Sequence, residues 1–95
     1  MIRSYRDEET ERLAAGGKVR QWESFRRQAE KHLRILDAAT SLGDLAALNS
    51  NRLEALKGNL RGQYSIRINA QWRICFKWPK GEPGPSHVEI VDYHQ

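Results

Sequence analysis

Apolar residues recur along the first half of the chain with a helical period. Val19, Trp22, Phe25, Ala29, Leu33, Leu36 and Ala39 are spaced by three and four, which places them on one stripe. Arg20, Glu23, Arg27, Lys31 and Arg34 occupy the other side. The pattern predicts an amphipathic helix from about Val19, about twenty residues and roughly 30 Å long, with a core face and a solvated face. Before it, Ile2 to Tyr5 reads as a short opening strand. Asp7-Glu8-Glu9-Thr10-Glu11 places acids at a helix N-terminus, and Gly16-Gly17 closes that helix. After it, Thr40-Ser41-Leu42-Gly43-Asp44 breaks the stripe, and Leu42, Leu45 and Leu48 predict one more helical turn.

From Arg52 onward the period changes to two. Arg52 to Leu56 is a short candidate strand and Lys57 to Gly62 a loop. Gln63 to Ile68, Trp72 to Trp78 and Val88 to Tyr93 are stronger strands, with the turn-rich Pro79 to Pro85 between the last two. The predicted fold class is α+β: N-terminal helices packed on one face of a small, largely antiparallel sheet.

Alternation also sets a register. If Tyr64, Ile66 and Ile68 share the helix-facing side with Trp72, Ile74, Phe76 and Trp78, the connecting loop must be Asn69-Ala70-Gln71. Ile68 then pairs with Trp72, Ile66 with Ile74 and Tyr64 with Phe76. On the other face Arg67 stands opposite Arg73, Ser65 beside Cys75 and Gln63 beside Lys77. Two like charges about 5.5 Å apart repel by about 3 kcal/mol at an effective dielectric near 20. Compensation comes either from internal acids such as Glu54, Glu89 or Asp92, or from an external anion, for which guanidinium forks suit phosphate oxygens. Lys57, Arg61 and Lys77 are placed to join the same face, making five basic groups on an uncovered surface.

Charge supports a polyanionic partner. The net charge is +4 with a pI near 9.6, and residues 49–95 carry seven basic against four acidic side chains, compared with nine against eight in residues 1–48. At 95 residues the chain reads as one domain, 1–95. It has no apolar run long enough for a transmembrane helix or a secretory signal, so a cytoplasmic location is expected. The single cysteine, Cys75, makes no internal disulfide and reads as a small strand residue. No metal motif and no phosphate-cradling glycine loop is present, so neither metal nor cofactor is expected. His32 falls on the helix flank and His87 in a turn, without ligand spacing.

One reaction suits these residues. RNA is cut without a metal when its 2′-hydroxyl attacks the adjacent phosphate, which requires a base, cations for the phosphorane-like charge, and an acid for the leaving 5′-oxygen. Arg67 and Arg73 supply cations. Lys57 and the run Asp92-Tyr93-His94 offer proton-transfer groups, with Asp92 orienting its neighbours; the alternative is that this run is a frayed end.

Three stretches carry a family resemblance. Arg52-Leu53-Glu54-Ala55-Leu56-Lys57-Gly58-Asn59 contains an L-K-G loop, Gly62 to Phe76 contains the hairpin S-I-R-I-N-A-Q-W-R-I, and Val88-Glu89-Ile90-Val91-Asp92-Tyr93-His94 ends in D-Y-H. With the MIRSY start and Leu36-Asp37-Ala38-Ala39-Thr40, they resemble the HigB branch of the RelE/ParE toxin superfamily over nearly the whole chain. The resemblance implies a RelE-like, microbial-RNase-like fold. It implies a type II toxin–antitoxin toxin acting as a ribosome-dependent endoribonuclease that cleaves mRNA in the A site without a metal. It implies a neighbouring helix-turn-helix antitoxin of the HigA type, for which the helix face Arg20 to Arg34 is a candidate surface.

Carried onto matching positions, Lys57, Arg73, Asp92, Tyr93 and His94 form the catalytic set, and Arg61, Arg67, Gln71 and Lys77 are RNA contacts. One departure stands out: certain HigB proteins carry a histidine where this chain has Glu54, which implies weaker catalysis and places proton transfer on Lys57, Tyr93 or His94. The alternatives are a non-catalytic gyrase poison of the ParE type, against which D-Y-H speaks, and a basic RNA- or ribosome-binding module.

Overall fold

A computed structural model describes residues 1–92, so Tyr93 and His94 lie outside the described residues. Helix α1 spans Glu8–Ala14. Asp7 caps it by accepting the Thr10 N–H at 3.2 Å, and Glu8, Glu9 and Glu11 sit at the positive end of the helix dipole. Gly16, at φ 92°, carries the chain out of the helix through the left-handed region.

The long amphipathic stretch is two elements rather than one helix. Arg20–Phe25 is a 3₁₀ segment and α2 runs Arg26–Ala38, with Phe25 between them at φ −127°, ψ 24°. The spacing explains the break. Val19, Trp22 and Phe25 recur strictly every three residues, which aligns them on a three-residue turn; Phe25, Ala29, Leu33 and Leu36 advance by four and three, as an α-helix requires. Arg26 fastens the junction by donating to the Gly16 carbonyl at 2.7 Å and reaching Glu30 at 3.3 Å and Glu23 at 3.4 Å. All seven stripe residues are buried. The expected further turn is α3, Leu42–Ala46, capped by Ser41, which accepts the Asp44 N–H at 3.2 Å. Asp44 accepts in turn from the Thr40 backbone N–H and hydroxyl, and these bonds hold its carboxyl below the usual range.

Four antiparallel strands follow in the order β1-β2-β3-β4: Glu54–Ala55, Gln63–Arg67, Trp72–Lys77 and Ser86–Asp92. The expected hairpin register is the observed one, with Ile66 opposite Ile74, Tyr64 opposite Phe76 and Arg67 opposite Arg73. β1 is shorter than expected because Arg52 takes a left-handed conformation, φ 45°, ψ 55°, which ends the extended run. The opening strand reduces to one parallel bridge, Tyr5 to Val88, flanked by Arg3 N–H to Pro85 carbonyl at 2.8 Å and Arg6 N–H to Val88 carbonyl at 2.9 Å. His87, expected in a turn, lies inside β4 at φ 54°, where the pairing with β3 shifts between Cys75 and Lys77 as in a β-bulge.

The core fills the space between the helices and one sheet face. Ile66, Ile74, Phe76 and Val88 from the sheet join Leu13, Leu33, Leu36 and Leu45 in one buried cluster. Trp72 stacks on Phe25 at 5.1 Å between centroids and meets Trp22 edge-on at 6.4 Å. The buried Thr10 hydroxyl accepts the Ile90 N–H at 3.1 Å, tying α1 to β4.

Candidate functional site

Strand alternation puts Glu54, Ser65, Cys75 and Glu89 in one cross-strand row on the face away from the helices, and Arg67, Arg73 and Val91 in the next. This face is not the open basic surface expected from the sequence. Ser65 is 0 % exposed and Arg73 5 %, and Cys75 and Gln63 are buried too. The central cation is therefore held inside the protein.

Arg73 is bonded along its whole fork. Its Nε donates to the Ser65 hydroxyl at 2.8 Å, Nη2 donates to the Ser65 carbonyl at 3.2 Å and to the Arg52 carbonyl, and Nη1 lies 3.4 Å from Glu54 Oε1. Arg67 turns the other way, its Nε donating to the Asn69 carbonyl at 3.0 Å. The two guanidiniums thus diverge, one toward β1 and the other toward the hairpin turn, which relieves the cross-strand repulsion. Of the two sources of compensation, the internal one is present: Glu54 is the acid that meets Arg73. Because Glu54 is half exposed, solvent screens the pair, and the neutral oxygens of Ser65 and Arg52 contribute much of the hold.

Asp92 and Gln71 lie elsewhere. Asp92 pairs in register with Trp72, on the helix-facing side of the sheet, whereas Arg73 pairs with Val91. Gln71 Nε2 donates to Asp92 Oδ2 at 3.0 Å. The described part of the expected set therefore divides into an Arg73–Glu54–Ser65 group on one face and a Gln71–Asp92 pair at the end of the other. Lys57 and Arg61 bracket the 3₁₀ turn Gly58–Leu60 and are both exposed at its two ends; the turn begins with Gly58 at φ 66°. Lys77 is half-buried opposite Gln63 and Ser86, and Tyr93 and His94 are outside the described residues.

Two contributors to the site go beyond the sequence expectations. Ser65 is legible as a polar residue beside Cys75, but its role as a double acceptor for Arg73 depends on a diagonal across the strands. The Arg52 carbonyl has no sequence signal, since a left-handed arginine is uncommon and unmarked. Cys75 carries no nucleophile: burial, with the Glu89 charge beside it, pushes its thiol up to about 11. Burial also raises Glu89, against the opposing pull of Arg6 at 3.4 Å. Among the described residues no group of three or more His, Cys, Asp or Glu side chains converges as a metal site, and no helix is long and apolar enough to cross a membrane.

This geometry can hold a cation rigidly, with little reorganisation, next to basic loops. That arrangement stabilises charge developing on a bound anion. The chain is 41% identical over 63 residues to Toxin HigB-1 of Vibrio cholerae, covering 66% of this chain and 66% of that protein. It is 37% identical over 62 residues to Endoribonuclease HigB of Proteus vulgaris, covering 65% of this chain and 64% of the relative. The chain thus spans just under two thirds of the length of both curated relatives. Its fold is similar to that in a solved YoeB–YefM complex from Staphylococcus aureus, with a TM-score of 0.55 at 22% identity over 100% of this chain and 97% of that one. A family model for HigB-like toxins, described as the RelE-like toxin of the type II toxin–antitoxin system HigB, matches residues 3–94, and the chain belongs to that family.

Proposed function

We propose that the protein is a toxin that cleaves mRNA in the ribosomal A site and so arrests translation in the cytoplasm. The observation that carries this reading is a buried Arg73, its fork bonded to Ser65, the Arg52 carbonyl and Glu54, in a chain whose family match spans residues 3–94. The endoribonuclease name of the Proteus vulgaris relative supports the reaction type.

In the proposed reaction the substrate's own 2′-hydroxyl attacks the adjacent phosphorus. The P–O2′ bond forms, the P–O5′ bond breaks, a base removes the hydroxyl proton and an acid protonates the departing O5′. No metal or cofactor is assigned, because side chains are given the parts of base, cation and acid. Arg73 supplies a fixed positive charge for the phosphorane-like state, and Arg67 offers the outer end of its fork to the RNA backbone away from the scissile bond. Lys57, at the start of its loop, acts as base or electrostatic partner. His94 or Tyr93 serves as acid, and Asp92, held by Gln71, positions that terminal segment. Arg61 and Lys77 add contacts to the RNA backbone. A helix-turn-helix antitoxin of the HigA type restrains the toxin; the type II family description supports an antitoxin partner as such.

The test is the sequencing of mRNA 5′ ends after brief induction. Cuts within translated regions are expected for the parent, and none for an Arg73→Ala, His94→Ala double variant. Growth arrest by that variant equal to the parent's would refute the site assignment. Intact transcripts accompanied by DNA breaks would replace the nuclease with a gyrase poison.

A further inference from the structure

A cleft of about 450 Å³ lies at one end of the sheet, between α2, the Asn49–Asn51 turn and the β2–β3 loop. Three cations line it, each from a different element: Lys31 from α2, Arg52 after Asn51, and Arg67 from β2. His32 and Asn69 add polar groups, and no carboxylate is among the described residues that line it. In the sequence these cations belong to unrelated contexts, a solvated helix face, the start of a strand and a sheet face. The fold collects them around one concavity.

Their surroundings leave the positive charge uncompensated. Lys31 and Arg52 are exposed and Arg67 is half-buried. The ion pairs among the described residues use Arg3, Arg6, Arg26 and Arg73, and none uses these three. Arg67 is oriented by its Nε bond to the Asn69 carbonyl, which leaves both terminal nitrogens of a fixed fork for an outside acceptor. Arg52 is a non-glycine residue in the left-handed region, and its carbonyl is gripped by Arg73. The backbone that presents Arg52 to the cleft is thus braced by the central cation of the candidate site. A concave, acid-free, three-cation surface concentrates counterions, and displacing them favours a polyanion over a single small ion.

We infer that this cleft binds an RNA phosphodiester at a point separate from the scissile bond, with Lys31 and Arg52 as phosphate ligands beside Arg67. The inference rests on the reading of the chain as an RNA-directed toxin and extends it to a second grip on the polymer. Two sources share the chemistry, the mRNA strand and the ribosomal RNA around it.

The test pairs Lys31→Gln with Arg52→Asn. Asparagine tolerates the left-handed backbone, and the position-52 carbonyl stays available to Arg73. Binding is measured across a salt series to a short, uncleavable 2′-O-methyl oligoribonucleotide by fluorescence anisotropy, and to mRNA-free ribosomes by co-sedimentation. The expected result is several-fold weaker binding to at least one of them. On the oligoribonucleotide, the slope of log affinity against log salt should fall by about 0.7 for each phosphate that the variant no longer neutralises. Weakening on the oligoribonucleotide assigns the cleft to mRNA; weakening on ribosomes assigns it to ribosomal RNA. The charge-conserving pair Lys31→Arg, Arg52→Lys should restore the slope. If the double variant melts early, Lys31→Gln alone, at an exposed helix position, decides with about half the change in slope. Unchanged affinity and slope on both probes overturns the inference, and so does loss of antitoxin co-purification with RNA binding intact. Transcript cleavage is scored separately, so a parent that binds RNA through the cleft but cuts none would refute the nuclease reading alone.

Discussion

Both faces of the sheet are buried at their centres, but by different chemistry. On the helix side Ile66, Ile74 and Phe76 are each 0 % exposed and held by packing. On the other side Ser65, Arg73 and Cys75 are comparably shielded, and the charged member is held by directional bonds to Ser65, Arg52 and Glu54. An apolar face loses stability in proportion to the volume removed, because a cavity forgoes dispersion attraction across it. A polar buried face instead loses whatever the orphaned partner cannot replace. The packed side therefore carries the fold, while the bonded side holds a buried charge in a fixed place.

The contrast is broken most sharply by Phe76→Ala against Arg73→Met. The first should cost about 3–5 kcal/mol in chemical denaturation. The second should cost about 1–2 kcal/mol, since Glu54 is half exposed and keeps its water, yet it should abolish cleavage. Equal destabilisation by both would make Arg73 mainly a structural residue. At the next level, Ser65→Ala strands the Arg73 Nε and should lose about 1–2 kcal/mol together with activity. Ile66→Val, one residue away on the opposite face, should lose about 0.5–1.5 kcal/mol with activity intact.

The remaining effects are pH-dependent. With its thiol raised to about 11, Cys75 should react with iodoacetamide far more slowly than an unfolded control near pH 8, where few such thiols are ionised. Its rate should climb only as pH approaches that value, so rapid alkylation of the folded protein would show the face to be open. Glu89 should give the smallest change. Its folded pKa is raised, so the native state binds the extra proton, and stability declines as pH rises through the range between the unfolded and folded values. Glu89→Gln should flatten that part of the stability profile, measured by melting across the mildly acidic range.

Much of this architecture is legible because β alternation is strict. The hairpin register, including Arg67 opposite Arg73, follows from requiring two apolar sets to share a face. The break at Phe25 is also written in the chain, in the change from threefold to fourfold spacing, but a helical stripe averages the two periods and hides it. Sequence alternation over-extends β1 because nothing in the residue name Arg52 marks a left-handed backbone. The D-Y-H motif groups Asp92 with Arg73, although parity along β4 places it on the opposite face.

The sequence by itself determined the α+β order, the apolar faces, the hairpin register and, through its motifs, the family. These depend on periodicity and short-range chemistry, which a linear chain displays directly. Only the tertiary structure decided that the far face is buried and that Arg73 is satisfied by a serine, a backbone carbonyl and Glu54. It also gathered Lys31, Arg52 and Arg67 around one cleft. Those outcomes depend on where distant segments meet and on which way a long side chain turns, and neither is encoded in the spacing of residues along a strand.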